Sequence, residues 1–253
     1  MRAPRRSAGV AGSVLAVALV IAAGQSSGPP APGRATSWIA GKPGPIVVRD
    51  AADLTRAAGS ARIEAGYLFD ADGGPTTSSR VTGRYDFGAQ VGGFTSTPAG
   101  GYAIVTHSAV FVMDPGGQRW MRAGFSAAEQ DPSQALDLLR AASGGTREVG
   151  TDRLHDTEVH LFAVTVDPRR LAAVAGPVAQ GSVVESVTRA GDPVPVNLYV
   201  DEQGRVRRLQ VWVRVVDSAR GPGLVTVTVD LFDFGIDVPV RVPAPDAVGP
   251  VQR

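Results

Sequence analysis

The 253-residue chain has no cysteine, a single lysine at Lys42, and only three histidines. Without cysteine there can be no disulfide, no thiolate metal site and no thiol nucleophile. Stability must come from an ordinary apolar core, and the chain is long enough to bury one. Every basic residue other than Lys42 is arginine, which points to a GC-rich bacterial genome rather than to an activity.

Catalytic signatures are equally sparse. His107, His155 and His160 occur in no H-E-x-x-H pattern, and His160 shares a strand face with Phe162 and Val164, so it reads as a half-buried strand residue. Gly124-Phe125-Ser126-Ala127-Ala128 approaches the G-x-S-x-G elbow but lacks its second glycine and the strand-to-helix context that strains the serine. Asp70-Ala71-Asp72-Gly73 begins like a calcium loop without the later ligands, and Asp230, Asp233 and Asp237 match no ligand spacing. The reading is a non-enzymatic protein with no cofactor and no metal.

The N-terminus has no acid. Arg2, Arg5 and Arg6 precede an uncharged run from Ala8 to Gly24, a positive n-region feeding an apolar h-region. Its length falls at the lower edge of what spans a bilayer, and much of it is Ala and Gly, so a removable signal over residues 1–24 is expected. Ala22 and Gly24 supply the small-x-small pattern for cleavage. No hydrophobic pair follows Arg5-Arg6 to make it a twin-arginine signal. Removal takes three arginines and no acid, leaving 22 basic against 24 acidic residues. A nucleic-acid partner, which calls for a clustered basic surplus, is thereby excluded.

Residues 25–45, rich in Ser, Gly and Pro, read as a flexible linker, and residues 243–253 as a loose Pro-rich tail. Between them, residues 46–242 form one domain dominated by period-two alternation, the mark of a sheet with one buried face. Ile63, Ala65, Tyr67 and Phe69 oppose Arg62, Glu64 and Asp70. Val81, Tyr85 and Phe87 oppose Arg80, Thr82, Arg84 and Asp86. Leu209, Val211, Val213 and Val215 oppose Arg208, Gln210 and Arg214, while Val225, Val227, Val229 and Leu231 oppose Thr226, Thr228 and Asp230. Turn chemistry at Asp72-Gly73-Gly74, Asp114-Pro115-Gly116-Gly117 and Asp201-Glu202-Gln203-Gly204 predicts hairpins and antiparallel neighbours. There is no internal repeat.

Three short helices are expected: Asp50 to Gly59 around Leu54, a second opened by Asp131-Pro132-Ser133-Gln134 with Leu136 and Leu139 and closing at Gly144, and a third from Asp167-Pro168 through Leu171 and Val174 to Gly176. Each has one or two large apolar residues per face, enough for a lid and too few for a helical core. The fold class is therefore mainly β, α+β, an antiparallel sheet with thin helical cover. Such a sheet either folds on itself to fill its apolar side or holds a cavity there. The aromatic positions Tyr67, Phe69, Tyr85, Phe87, Phe111, Trp120, Tyr199, Phe232 and Phe234 fit either outcome.

The order of several segments resembles the LolA-like carriers, most closely the actinobacterial lipoprotein branch of LppX and LprG type. These are Gly83-Arg84-Tyr85-Asp86-Phe87, Gln118-Arg119-Trp120, Asp131-Pro132, Val149-Gly150 through His160-Leu161, Val196-Asn197-Leu198-Tyr199-Val200-Asp201 with Gly204-Arg205-Val206-Arg207-Arg208, and Asp233-Phe234-Gly235 before the terminal Pro-Ala-Pro. The resemblance implies a strongly curved half-barrel whose concave side is plugged by the helices, with an apolar pocket between. It also implies an occupant, the acyl chain of a lipid or lipoglycan, and no catalytic residues. Candidate lining is Ile63, Tyr67, Phe69, Tyr85, Phe87, Phe111 and Trp120, the helical Leu136, Leu139 and Leu171, then Leu209, Val211 and Val213, and Val227, Val229 and Leu231. Family lipoproteins carry cysteine after the signal, whereas Ile21-Ala22-Ala23 is followed here by Gly24, so lipid attachment at that position is excluded. The expected protein is exported into a periplasm-like envelope space or beyond, free or held by an uncleaved signal, and touches membranes transiently. The rival expectation is an interaction or sensing domain that contacts a cell-envelope protein with the same sheet.

Overall fold

A computed structural model describes residues 41–98, 100–114, 117, 119–124, 131–174, 183–215 and 221–252. The expected signal, most of the expected linker and Ser126 lie outside the described residues. The four alternating segments become β1 (Ser60–Ala71), β2 (Thr77–Asp86), β10 (Val206–Val215) and β11 (Gly223–Phe232), and they stand side by side in the order β2-β1-β11-β10. Beyond β2 follow β3 (Val91–Thr97), β4 (Tyr102–Thr106), β5 (Val110–Met113) and β6 (Trp120–Ala123). Beyond β10 come β9 (Val194–Asp201), β8 (Thr157–Val166) and β7 (Arg147–Leu154). All these neighbours are antiparallel. The three foreseen turns reverse the chain at Gly73, Gly117 and Gly204, each with positive φ.

The result is a curved, open twelve-stranded sheet with helices on its concave side. Ile63 pairs with Leu231 and Gly83, Tyr67 with Val227, Val211 with Val227 and Val196, and Val196 with Val164, so one apolar face runs unbroken across the register. Four helices lie among the described residues: α1 (Gly44–Ala57), α2 (Gln134–Asp137) running on as a 3-10 turn over Leu138–Ala141, α3 (Pro168–Val174) and α4 (Val183–Ala190). Helix α1 starts earlier than expected, with Pro45 in its first turn, where a proline's missing N–H is no loss. It buries Val47, Val48, Ala51 and Ala52, and its Thr55 hydroxyl accepts the Val206 amide at 2.8 Å, tying the helix to β10. Helix α4 was not foreseen. The expected end of the third helix, at Gly176, lies outside the described residues.

Two further expectations need correcting. The tail is not loose: after β11 the chain crosses the outer face and ends in β12 (Val248–Gln252), which pairs in parallel with β6. Ser60 Oγ donates to the Ile236 carbonyl, Arg84 donates to that of Asp237, and Val240 sits against Gly93. The polar side of β11 is not in water either, because Thr226, Thr228 and Asp230 are buried. The β7–β8 hairpin folds back over that side and stacks His155 on Phe232 with ring centroids 4.3 Å apart. Beneath it, Leu154, Val159 and Tyr199 form a small second core with Leu161.

Gly83 faces β3 with no room for a side chain. A Cβ there would fall inside contact distance of the Gly93 carbonyl oxygen and the Phe94 ring. Gly83→Ala is therefore expected to cost about 1–3 kcal/mol through forced separation of the strands, read as a lowered urea midpoint at unchanged slope.

Candidate functional site

A side chain can line a space for a guest only if it faces that space and the chain's own atoms leave part of it uncovered, and the expected lining divides accordingly into three groups. Ile63, Leu139, Leu171, Leu209 and Val211 are 0% exposed, and Phe69, Tyr85, Leu136, Val213 and Leu231 no more than 2%. Phe87 and Val229 are also buried. These residues are packed by the chain's own atoms, so a guest would reach them only if the helices moved.

Tyr67 and Val227, register partners on β1 and β11, are half-buried on the concave face. Around them, Ala65, Val81 and Val215 are likewise half-buried against the core, as is Val112 on β5. These six make up an accessible apolar strip, together with Met121, which is opposite Val112 on β6. Of these, Ala65, Val81 and Val215 stood in the alternation of the sequence but were not singled out as lining.

Phe111 and Trp120 need correcting outright. Phe111 pairs with Ile104 and Arg122, and Trp120 with Met113, all on the outer face; Val112 and Met121 take the inward places. Trp120 packs edge-on against Tyr102 at 5.9 Å.

The concave face carries almost no charge. From β1 to β6 its inward positions hold Ala, Ile, Val, Phe, Tyr, Met, Gly, Ser and Thr, and no acid or base. Arg80 pairs with Glu64 on the outer face at 2.9 Å, and Arg208 holds Asp230 there through two bonds of 2.5 and 2.6 Å. At the opposite end of the sheet a bulge in β7 brings Glu148 to buried His160, Oε1 to Nδ1 2.6 Å. No group of acids and histidines among the described residues could hold a metal.

Tyr85 is an anchor rather than a lining residue. Burial first, and then the nearby Asp131 carboxylate, push its hydroxyl well above the ordinary tyrosine value, so it stays protonated and donates to Asp131 at the start of the α2 region. Because the folded value is raised, its contribution is complete at neutral pH and is lost as pH rises past about 10, where the unfolded chain ionises. Tyr85→Phe is expected to cost about 1–3 kcal/mol at pH 7 and to flatten the alkaline fall in stability, measured by denaturant titrations from pH 7 to 11.

Neither a family model nor a curated protein matches the sequence. Solved structures do match. The Mycobacterium tuberculosis lipoprotein LppX superposes with TM-score 0.51 at 12% identity, over 77% of this chain and 97% of its own. LprF from Mycobacterium bovis gives TM-score 0.47 at 14% identity over 80% and 96%, and a LolA superfamily protein from Nitrosomonas europaea 0.35 at 10% over 78% and 96%. At such identities the likeness to LppX speaks for the fold alone: the chain shares the open, curved sheet with short helices of that structure. No helix among the described residues is long and apolar enough to cross a membrane.

Proposed function

We propose that the protein is a non-enzymatic, exported binder or carrier of an acyl-chain lipid or lipoglycan, taken up on the concave face of the sheet. The observation that carries this reading is the half-buried strip Ala65, Tyr67, Val81, Val112, Val215 and Val227, apolar and uncharged, on a face otherwise sealed by helices. Each methylene gains about 0.8 kcal/mol on leaving water, but a lipid already in a bilayer has gained as much, so the strip need only match the membrane for transfer to be reversible. The test is native mass spectrometry of the purified protein. Bound lipid, exchangeable with added acyl probes, is the expected result; a protein that is always empty and ignores those probes would overturn the reading.

A second reading is supported by the sealed interior at Ile63, Leu209 and Leu231, which needs no guest to be complete. It is an interaction or sensing domain for a cell-envelope protein on the same fold. An empty protein that binds one defined envelope partner would favour it.

A further inference from the structure

We propose that β12 is a releasable brace, and that its departure loosens the wall formed by β5 and β6 and opens the concave face. The proposal rests on the carrier reading for its purpose, though not for its mechanics. The wall is the weakest part of the sheet. Strands β4, β5 and β6 have five, four and four residues, against ten to twelve in β1, β2, β10 and β11. Strand β6 is joined to β5 by three register pairs, and along its other edge lies β12. A ribbon of two such short strands is marginal by itself. Its inward residues Val112 and Met121 are half-buried, at one side of the accessible strip.

The brace is itself weakly held. It is the one parallel pairing among the described residues, a geometry slightly less stable per residue, and its register shifts between Gly249 and Gln252. Pro250 has no N–H to give the ladder. The preceding turn, Pro245–Ala247, buries no residue, and Val242 is 45% exposed. Upstream the contacts are firmer: the Gly235 amide donates to the Ser60 carbonyl, Ser60 Oγ to that of Ile236, and Val240 packs on Gly93. Val248–Gln252 can therefore leave while the strap up to Val240 stays in place. The turn Pro245–Ala247, which buries nothing, is the kind of segment that opens at the low end of a protein's range of local stabilities.

The test uses two variants. In a chain ended after Ala247, amide exchange in Val110–Met113 and Trp120–Ala123 should quicken at least tenfold, while β1 and β11 exchange as before. A fluorescent fatty acid should also load several-fold faster. The second variant, Met121→Cys with Gly249→Cys, joins register partners in a chain with no other thiol. A Cβ at Gly249 meets only the Trp120 carbonyl oxygen at 3.6 Å and Met121 Cγ at 4.0 Å, ordinary contacts, so the side chain fits. The oxidised form should exchange and load more slowly than the same protein reduced. Unchanged exchange in β5 and β6 after truncation would overturn the brace. Failure of every form to load probe would instead overturn the carrier reading, with exchange still deciding the brace.

Discussion

Replacing Asp201 with alanine should be the most destabilising single change on the surface-facing side of this sheet. The residue closes β9 and opens the turn into β10, and its side chain is 0% exposed. Its oxygens accept the backbone amides of Gln203 at 3.0 Å and Arg205 at 2.8 Å, as well as the Arg205 and Arg207 guanidinium Nε at 3.0 and 2.8 Å. Both guanidinium groups stand over the Phe234 ring, 4.6 and 4.9 Å from its centre, so one carboxylate organises the turn and also the start of the strap that crosses to β12. Alanine leaves two neighbouring cations without their counter-charge, one of them only 11% exposed. Removing one partner of a buried pair costs about 3–5 kcal/mol. For a domain of this size that corresponds to a fall in Tm of roughly 6–20 °C. Asp201→Asn keeps an acceptor for the turn amides and should fall between. A thermal scan placing Asp201→Ala within 2 °C of the unmodified protein would show that the turn is held by something else.

What could be read in the sequence follows from strand length. In β1, β2, β10 and β11, with ten to twelve residues each, alternation has room to declare its phase, and each inward residue named there points inward. In β5 and β6, four residues long, two apolar residues in a row are common and the phase is open; a slip by one exchanges the faces. That is why Phe111 and Trp120 drew attention while Val112 and Met121, their inward neighbours, did not. Helix α4 is rich in valine, a residue that favours strands. The Ser182-x-x-Glu185 spacing and the helical spacing of Val184 and Val187 were the available signal. The tail failed for another reason. Its prolines count against a central strand, but an edge strand tolerates them, and what docks β12 is its pairing with β6, far away in sequence. Burial of Thr226, Thr228 and Asp230 likewise depends on the β7–β8 hairpin folding back, which no local pattern announces.

If a guest chain lies along the accessible strip, a carboxylate placed at Val227 must meet it. Val227 stands between Tyr67 and Val211 in the register, half-buried, with its neighbours Thr226 and Thr228 turned to the other face. Val227→Glu can swing its charge toward solvent in the empty protein, so the fold should survive with a loss of about 1–2 kcal/mol. With an acyl chain present that escape closes, and setting an unpaired polar group against hydrocarbon costs a further 2–3 kcal/mol or so, which is roughly a 30- to 150-fold weaker affinity for a fatty acyl probe. Burial raises a carboxyl's pKa, so acidification should neutralise the new side chain and restore part of the binding, while the unmodified protein shows no such recovery. Thr95→Glu, adding the same charge to an exposed position on the outer face of β3, controls for net charge and should leave the probe's affinity unchanged. Equal affinities for Val227→Glu and the unmodified protein would mean that bound lipid lies somewhere other than this strip.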